Sequence, residues 1–237
     1  MARQRGRAPG IIGRLIGWLA TLVFLLAVAS VVWVFAYKYL NPPTTALMIR
    51  DSLAGHSPKQ TWVSLDRIDA RMAQAVITAE DKNFCTHSGF DIEAMTAAMQ
   101  KNLEGKKLRG GSTVSQQTAK NVFLWPQRSY ARKGLEAWFT FLIEQIWGKR
   151  RIMEVYLNVV EIGIHTYGVE AGAQRYFKHG AHKLTKREAA RLAAILPSPI
   201  KRDAKRPAGY TKRYARNIEK WIRVVREQNL DKCLTRA

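Results

Sequence analysis

The N-terminal part of the chain contains a run of 23 positions, residues 15–37, without a charged side chain. As an α-helix this run would be about 35 Å long, enough to cross a hydrocarbon core of about 30 Å. Four arginines precede it: Arg3, Arg5, Arg7 and Arg14. Arginine before a span favours a cytoplasmic N-terminus. We therefore predict a basic cytoplasmic tail at residues 1–14 and a transmembrane helix at residues 15–37, with the rest of the chain outside the cytoplasm.

A cleaved signal peptide is the alternative interpretation of the same run. Ala27-Val28-Ala29 resembles a cleavage site. The apolar run continues past this site, however, and is long for the hydrophobic region of a signal peptide. The pattern therefore favours a membrane anchor, and the arginines before the run argue against a buried core helix.

After the apolar run the pattern changes to amphipathic helices. Residues 38–58 contain three prolines and are predicted to form a linker or a short extended stretch. Apolar positions then recur at helical spacing, first at Leu65, Ile68, Met72, Ala75, Val76 and Ala79. The last such segment is a basic helix over about residues 211–230. We see no convincing β-hairpin, and we predict one domain over residues 59–237 that is all-α or mainly α with a minor strand element.

Capping residues mark the starts of several of these helices. Asp91 and Ser112 are predicted N-caps, since each carries a side-chain oxygen just before an apolar periodic stretch. Thr185 and Glu188 have the spacing of a capping box. These signals set the expected helix boundaries near Glu80 and near Gly110-Gly111.

The charge of the chain indicates an anionic partner. It carries 39 Lys and Arg against 18 Asp and Glu, a formal net charge of +21. A hydrophobic content of 47% excludes wholesale disorder. Nucleic acid is disfavoured as the partner, because the basic domain would lie outside the cytoplasm. Cys85 and Cys233 lack the spacing of zinc ligands, and they could form a disulfide or remain buried thiols.

A first candidate site lies where an apolar helix ends at Glu80. Asp81 follows directly, and Phe84 is close by in sequence. Burial and a like-charged neighbour both raise the pKa of a carboxyl group, as a general acid or base requires. The alternative is a solvated helix end, which composition alone favours.

A second candidate is the glycine pair Gly110-Gly111, which enters a helix near Ser112. Such a loop presents free backbone N–H groups to an anion, although the signal is weak without a Walker pattern. Three polar residues follow on one helix face: Gln117, Lys120 and Asn121. Amides and a lysine suit sugar hydroxyls and phosphate, and a solvated face is the alternative.

A third candidate is the cluster of Arg132, Lys133 and Glu136. The two cations could hold a diphosphate, Arg132 in bidentate fashion. Glu136 could be catalytic or simply the i,i+4 partner of Arg132. Asn158 and Glu161, further along the chain, are expected to give structural support.

Together these segments resemble the peptidoglycan glycosyltransferase family, in particular its monofunctional members, over about residues 46–230. One family pattern, Glu-Asp-x-x-Phe-x-x-His-x-Gly-x-Asp, is matched in full by Glu80, Asp81, Phe84, His87, Gly89 and Asp91. A second pattern is matched by Gly110 to Thr113, Gln116, Gln117, Lys120 and Asn121. Arg132-Lys133…Glu136 and Tyr156-Leu157-Asn158…Glu161 follow in the family's order. Ser115 and Thr118 depart from it, and neither is assigned to catalysis.

The resemblance implies a lysozyme-like, mainly α fold with a small membrane-facing lobe. It also implies polymerisation of the lipid-linked disaccharide-pentapeptide, lipid II, with inversion at the anomeric carbon and release of undecaprenyl diphosphate. By resemblance Glu80 is the general base and Glu136 acts near the donor diphosphate. The substrate-binding residues would be Ser112, Gln117, Lys120, Asn121, Arg132 and Lys133. No cofactor is required and no metal ligand is assigned, although a divalent cation could assist at the diphosphate.

The resemblance also sets the expected surroundings of the protein. The partners would be lipid II, the growing glycan chain, the membrane and other cell-wall synthesis proteins. The location would be the inner membrane, with a single span and a periplasmic domain. Two alternatives stay open: a glycan-cleaving enzyme with a similar helical fold, and a membrane-tethered binding protein without catalysis.

Overall fold

The computed structural model describes residues 10–103 and 111–235, with side chains described outside residues 101–103. Residues 1–9 of the predicted basic tail and Gly110 of the glycine pair lie outside the described residues. The described chain is mainly α, as predicted. Its helices are α1 (Ile11–Tyr39), α2 (Ala46–Leu53), α3 (Ala70–Glu80), α4 (Ile92–Leu103), α5 (Val114–Phe123), α6 (Tyr130–Ile146), α7 (Lys149–Val159), α8 (Val169–Phe177), α9 (Lys186–Ile195) and α10 (Gly209–Glu227).

Helix α1 contains the predicted span and is long and apolar enough to cross a membrane. Most of its large apolar side chains are exposed, whereas Val34 near its C-terminal end belongs to the core. Its C-terminal part contacts α6 and the residue that follows α6. Trp147 Nε1 donates to the Val34 carbonyl at 2.7 Å, and Trp138 Nε1 donates to Ser30 Oγ at 3.0 Å. The anchor candidate is therefore joined directly to the domain.

The segment predicted as a linker, residues 38–58, contains helix α2, which corrects that prediction. Thr45 caps this helix by accepting from the Met48 backbone N–H at 3.3 Å. Asp51 is buried and accepts from Tyr167 at 2.6 Å and from His165 at 2.7 Å. Burial raises the pKa of Asp51, whereas these hydrogen bonds lower it. The hydrogen bonds have the larger combined effect, and the pKa falls to about 2. Contacts with residues so distant in sequence stabilise α2, and local patterns do not reveal them.

A small sheet lies beside α7 and α8. Its strands are β1 (Lys59–Gln60), β2 (Glu161–Gly163) and β3 (Thr166–Tyr167), in the order β1-β3-β2. β3 pairs parallel with β1 and antiparallel with β2. The β2–β3 hairpin was not expected, because strands this short show no alternation of polar and apolar residues. Asn158 is fully buried and exchanges hydrogen bonds with the Val63 backbone, which confirms its structural role.

The core forms where α3 packs on α9 and α10, and where α5 packs on α6 and α7. Helix α10 buries one face, with Ala215, Ile218 and Ile222 pointing inward. Asp91 accepts from the Ala94 N–H near the start of α4 and Thr185 forms a capping box with Glu188, as predicted. The N-cap of α5 is Thr113 and not Ser112, because Thr113 and Gln116 complete a capping box one residue later.

Candidate active site

Two neighbouring cavities meet at Ser112. The first, here called the Glu80 cavity, has a volume of about 410 Å³ and lies between the end of α3, the start of α5 and α10. The second, the cationic cavity, has a volume of about 450 Å³ and lies between α5 and α6. Every predicted site residue other than Glu80 lines the cationic cavity: Ser112, Gln117, Lys120, Asn121, Arg132, Lys133 and Glu136. The structure thus brings all the predicted residues to one continuous region.

Glu80 is the last residue of α3 and lines the first cavity. Its Oε2 atom accepts a hydrogen bond from Gln117 Nε2 at 2.9 Å. Its Oε1 atom is buried and has no hydrogen-bond partner among the residues that the structure describes. Burial raises the pKa of Glu80, the Gln117 hydrogen bond opposes this, and the charge of Asp81 raises the pKa further. This direction of shift is the one predicted from the sequence.

Residues around Glu80 hold the end of α3 in place. Asp81 is buried and accepts from the Val114 N–H at 2.9 Å and from His87 Nε2 at 2.8 Å. Tyr214 of α10 donates to the carbonyl of Ala79 at 2.8 Å. The motif residues next to Glu80 therefore fix the position of the carboxylate by joining α3 to α5 and to α10.

Gly89 is needed for this arrangement because its backbone has φ +92°, a conformation that side chains rarely adopt. A Cβ at this position would also lie 2.9 Å from a methyl group of Thr140. The carbonyl of Gly89 accepts from Thr113 Oγ1 at 2.7 Å. The glycine in the sequence motif therefore allows the loop after Glu80 to approach the start of α5.

The cationic cavity surrounds Glu136, which is only 3% exposed on α6. Its carboxylate accepts from Arg132 Nη1 at 3.3 Å and forms an ion pair with Lys133. Burial lowers the pKa of Lys120, the charge of Glu136 opposes this, and Arg132, Lys133 and Arg128 lower it further. Four cations thus face one carboxylate among the described lining residues, which suits a ligand with several negative oxygens.

Gln117 connects the two cavities through its side-chain amide, which contacts Tyr156 as well as Glu80. Gln117 Oε1 accepts from the Tyr156 hydroxyl at 3.4 Å, while its Nε2 atom donates to Glu80. Tyr156 is fully buried, and burial together with the charges of Glu80 and Asp81 raises its pKa well above 10. Tyr156 therefore remains a neutral donor that orients the Gln117 amide.

Sequence reasoning also missed three side chains of α10 at the Glu80 cavity: Tyr214, Asn217 and Trp221. Their spacing on one helix face, next to the buried Ile218, was the signal that could have found them. Arg128 and Trp125, which line the cationic cavity, lie in an irregular segment where no periodicity exists.

The donor groups here do not form a conventional site for a divalent cation. In residues 10–103 and 111–235 no group of three or more His, Cys, Asp or Glu side chains is placed to hold a metal ion. Glu136 provides the carboxylate of the cationic cavity, and it is already paired with Arg132 and Lys133. Mg²⁺ and Ca²⁺ prefer several oxygen ligands, so the lining residues do not fit a resident ion.

A disulfide joins Cys85 and Cys233, which resolves an alternative that the sequence left open. Their Cα atoms are 5.4 Å apart across a sequence separation of 148 residues. The bond links the loop after Glu80 to the segment that follows α10. Disulfides form and persist in oxidising compartments, so the bond agrees with a domain outside the cytoplasm.

Comparison with known proteins identifies the family. The family model described as transglycosylase matches residues 48–223. The chain belongs to the transglycosylase family. The biosynthetic peptidoglycan transglycosylase of Caulobacter vibrioides is 50% identical over 222 residues, covering 93% of this chain and 97% of that protein. Those of Shewanella oneidensis and Rhodospirillum centenum are 45% and 44% identical, covering 92% and 95% of this chain and 96% of each relative.

Membership in the transglycosylase family makes the protein a glycosyltransferase, which confirms the resemblance drawn from its motifs. The matched residues include α3, α5 and α6 and every residue assigned to the site, from Glu80 to Glu136. A non-catalytic binding protein is accordingly set aside.

Proposed function

We propose that this transglycosylase is a membrane-anchored peptidoglycan glycosyltransferase that polymerises lipid II into β-1,4-linked glycan strands. The observation that carries the proposal is the junction of the two cavities. A half-buried carboxylate with a raised pKa, Glu80, is joined through Gln117 to a cavity rich in cations. The names of the relatives, which describe biosynthetic peptidoglycan transglycosylases, support the same substrate class.

The chemical step follows from the two halves of the site. The 4-hydroxyl oxygen of the acceptor sugar attacks the anomeric carbon of the growing chain, and Glu80 takes its proton. The bond between that carbon and the diphosphate oxygen breaks, and its electron pair leaves with undecaprenyl diphosphate. A single displacement converts an α-linked donor into a β-1,4 link. The Glu80 carboxylate is the proton acceptor: Gln117 orients it through Oε2, and Oε1 has no hydrogen-bond partner among the described residues.

The cationic cavity stabilises the leaving group. Lys120, Arg132 and Lys133 hold the diphosphate, where negative charge increases in the transition state. Ser112, Gln117 and Asn121 bind sugar hydroxyls or phosphate oxygens. Glu136 keeps the two α6 cations in place and acts near the diphosphate through them. A divalent cation would enter only as a counter-ion of the diphosphate, because the lining residues do not fit a resident one.

The membrane anchor places enzyme and substrate in the same bilayer. We assign the N-terminus to the cytoplasm, on the arginines before α1, and the domain to the periplasm, which the disulfide supports. The span would then be single and lie in the inner membrane. Lipid II and the growing chain share that membrane, and other cell-wall synthesis proteins are expected partners.

A glycan-cleaving enzyme was the other catalytic alternative from the sequence, since a helical fold and one glutamate suit hydrolysis as well, and the biosynthetic relatives argue against it. Such an enzyme releases no diphosphate and would not need Lys120, Arg132 and Lys133 around a shared cavity. The cation cluster therefore favours synthesis over cleavage.

The experiment supplies the full-length protein in lipid vesicles with fluorescent lipid II and, separately, with preformed glycan strands. We expect a polymer that muramidase digests, formed by the wild type and by the control Glu227→Gln, whose exposed carboxylate pairs with Arg223. Glu80→Gln should form roughly 10³-fold less. Breakdown of preformed glycan without polymer formation would overturn the proposal in favour of the cleaving enzyme.

A further inference from the structure

The Glu80 cavity has a wall on α10 that the mechanism above does not use. Four residues of that helix line it at helical spacing: Tyr214, Asn217, Ile218 and Trp221. Ile218 belongs to the core, and the Tyr214 hydroxyl is engaged by the backbone before Glu80. Asn217 and Trp221 remain exposed toward the cavity, with 44% of Trp221 accessible.

The indole of Trp221 is held in place although it is accessible. The Lys82 ammonium lies 4.5 Å from the centroid of its ring, a cation–π arrangement. Lys82 follows Glu80 by two positions, so this contact connects the α10 wall with the segment carrying the catalytic carboxylate. Asn217 forms no side-chain hydrogen bond with any residue that the structure describes and is available to a ligand.

The chemistry of this wall differs from that of the cationic cavity. It combines an aromatic ring and a free amide, with Lys82 as its basic side chain among the described lining residues. Asn83 donates to Asp91 Oδ2 at 2.9 Å at the opposite wall. An apolar ring face beside polar groups matches a pyranose, which has a face of C–H groups and a rim of hydroxyl and amide groups. The described lining residues thus offer a diphosphate one cation, against four in the cationic cavity.

We propose that Trp221 and Asn217 form a saccharide subsite that binds a sugar ring of the glycan on the α10 side of Glu80. This inference rests on the proposed function, since it assigns a part of the same substrate to the unused wall. Trp221 packs against the ring face, and the Asn217 amide hydrogen-bonds to its polar rim. The subsite determines how tightly the glycan is held and leaves the proton transfer to Glu80.

The test compares Trp221→Ala, Trp221→Phe and Asn217→Ala with the wild type, all as full-length protein in vesicles. A matched control is Arg223→Ala, which truncates another exposed side chain of α10 that does not line the cavity. Two probes are used: lipid II in steady-state polymerisation, and a soluble peptidoglycan tetrasaccharide in calorimetric binding. Circular dichroism and thermal unfolding verify that each variant is folded.

We expect Trp221→Ala to bind the tetrasaccharide or lipid II about tenfold more weakly, with kcat changed by less than about twofold. Trp221→Phe should recover most of the affinity, because it retains an aromatic face. Asn217→Ala should bind the same probes a few-fold more weakly, and Arg223→Ala should bind them with wild-type affinity. A loss confined to the tetrasaccharide would assign the subsite to the growing chain, and a loss confined to lipid II would assign it to the acceptor.

Wild-type affinity and KM for both probes in folded Trp221→Ala would overturn the subsite while leaving polymerisation intact. A fall in kcat with unchanged KM and binding would overturn it as well. Conversely, a wild type that binds the tetrasaccharide through Trp221 but makes no polymer would retain the subsite and overturn the proposed function.

Discussion

Of the two glutamates of the candidate active site, Glu136 is buried and Glu80 is half-buried, and their surroundings differ in kind. Glu80 accepts one hydrogen bond from a neutral amide, and its second oxygen has no partner among the described residues. Glu136 lies between Arg132 and Lys133 and forms ion pairs with both. A carboxylate without a cation in contact is suited to accept a proton, whereas one paired with cations is suited to position them. The same residue type thus acquires two roles from its environment.

Removal of the proton acceptor should have the largest effect. In Glu80→Gln the amide retains the shape of the side chain and cannot take a proton, so polymerisation should fall by roughly 10³-fold. Initial rates with saturating lipid II in vesicles measure this loss. A variant that keeps a tenth of the wild-type rate would assign the base to another group.

Removal of the cation-positioning carboxylate should have a smaller effect on the rate. Glu136→Gln leaves Arg132 and Lys133 present but less well oriented, and we expect a loss of about 10²-fold. The diphosphate itself can still attract these cations, which is why the loss stays below that of Glu80→Gln. Parallel assays of the two variants check the order, and a larger loss in Glu136→Gln would reverse the roles.

The hydrogen bond from Gln117 gives a way to change the Glu80 environment without removing the base. This bond lowers the pKa of Glu80, so Gln117→Leu should raise that pKa further above its ordinary value. Glu80 is active when ionised, and the acid limb of kcat/KM should therefore move to higher pH. We expect about a tenfold additional loss on the acid side, while at alkaline pH the remaining loss is that of a substrate contact, as in Asn121→Ala.

Asn121→Ala is the control for this pH profile, because Asn121 lines the cationic cavity without contacting Glu80. Its rate should fall while the midpoint of the acid limb stays in place. If the midpoint of the acid limb of kcat/KM is also unchanged in Gln117→Leu, that limb does not report on the ionisation of Glu80.

Removing the disulfide shows how far the loop after Glu80 depends on its covalent link to the segment after α10. We expect this change to have the smallest effect on the rate. In Cys85→Ser/Cys233→Ser the free energy of unfolding should fall by roughly 2–4 kcal/mol, with only a few-fold loss of rate. The reason is that Tyr214 and Asp81 still fix the end of α3. Reductant should destabilise the wild type and leave the double variant unchanged, and equal responses would contradict the role of this bond.

The sequence predicted those features that repeat or follow fixed spacing. Long amphipathic helices, the apolar helix α1 and the motif around Glu80 were all found from local patterns, because each has a period or a short signature. The stripe of Gln117 and Lys120 was also found, since residues three apart share a helix face.

Contacts between distant segments were not predictable in the same way. Helix α2 depends on the buried Asp51 and its bonds to residues more than a hundred positions away. The hydrogen bond from Tyr156 to the Gln117 amide forms only when α5 packs against α7. The α10 wall of the Glu80 cavity forms only when α3 packs against α10. The pairing of Cys85 with Cys233 likewise needed the fold.

The most direct test of the contrast between the two glutamates is the free energy of unfolding of Glu80→Gln and Glu136→Gln at neutral pH. The pKa of Glu80 is raised in the folded state, so the stability it confers is complete below the unfolded pKa and is lost as pH rises through the folded pKa. Its neutral replacement should therefore stabilise the protein, by about 1 kcal/mol. Glu136→Gln leaves Arg132 buried without its charged partner, and the free energy of unfolding should fall by about 3 kcal/mol. Changes of the same sign in both variants would contradict the account.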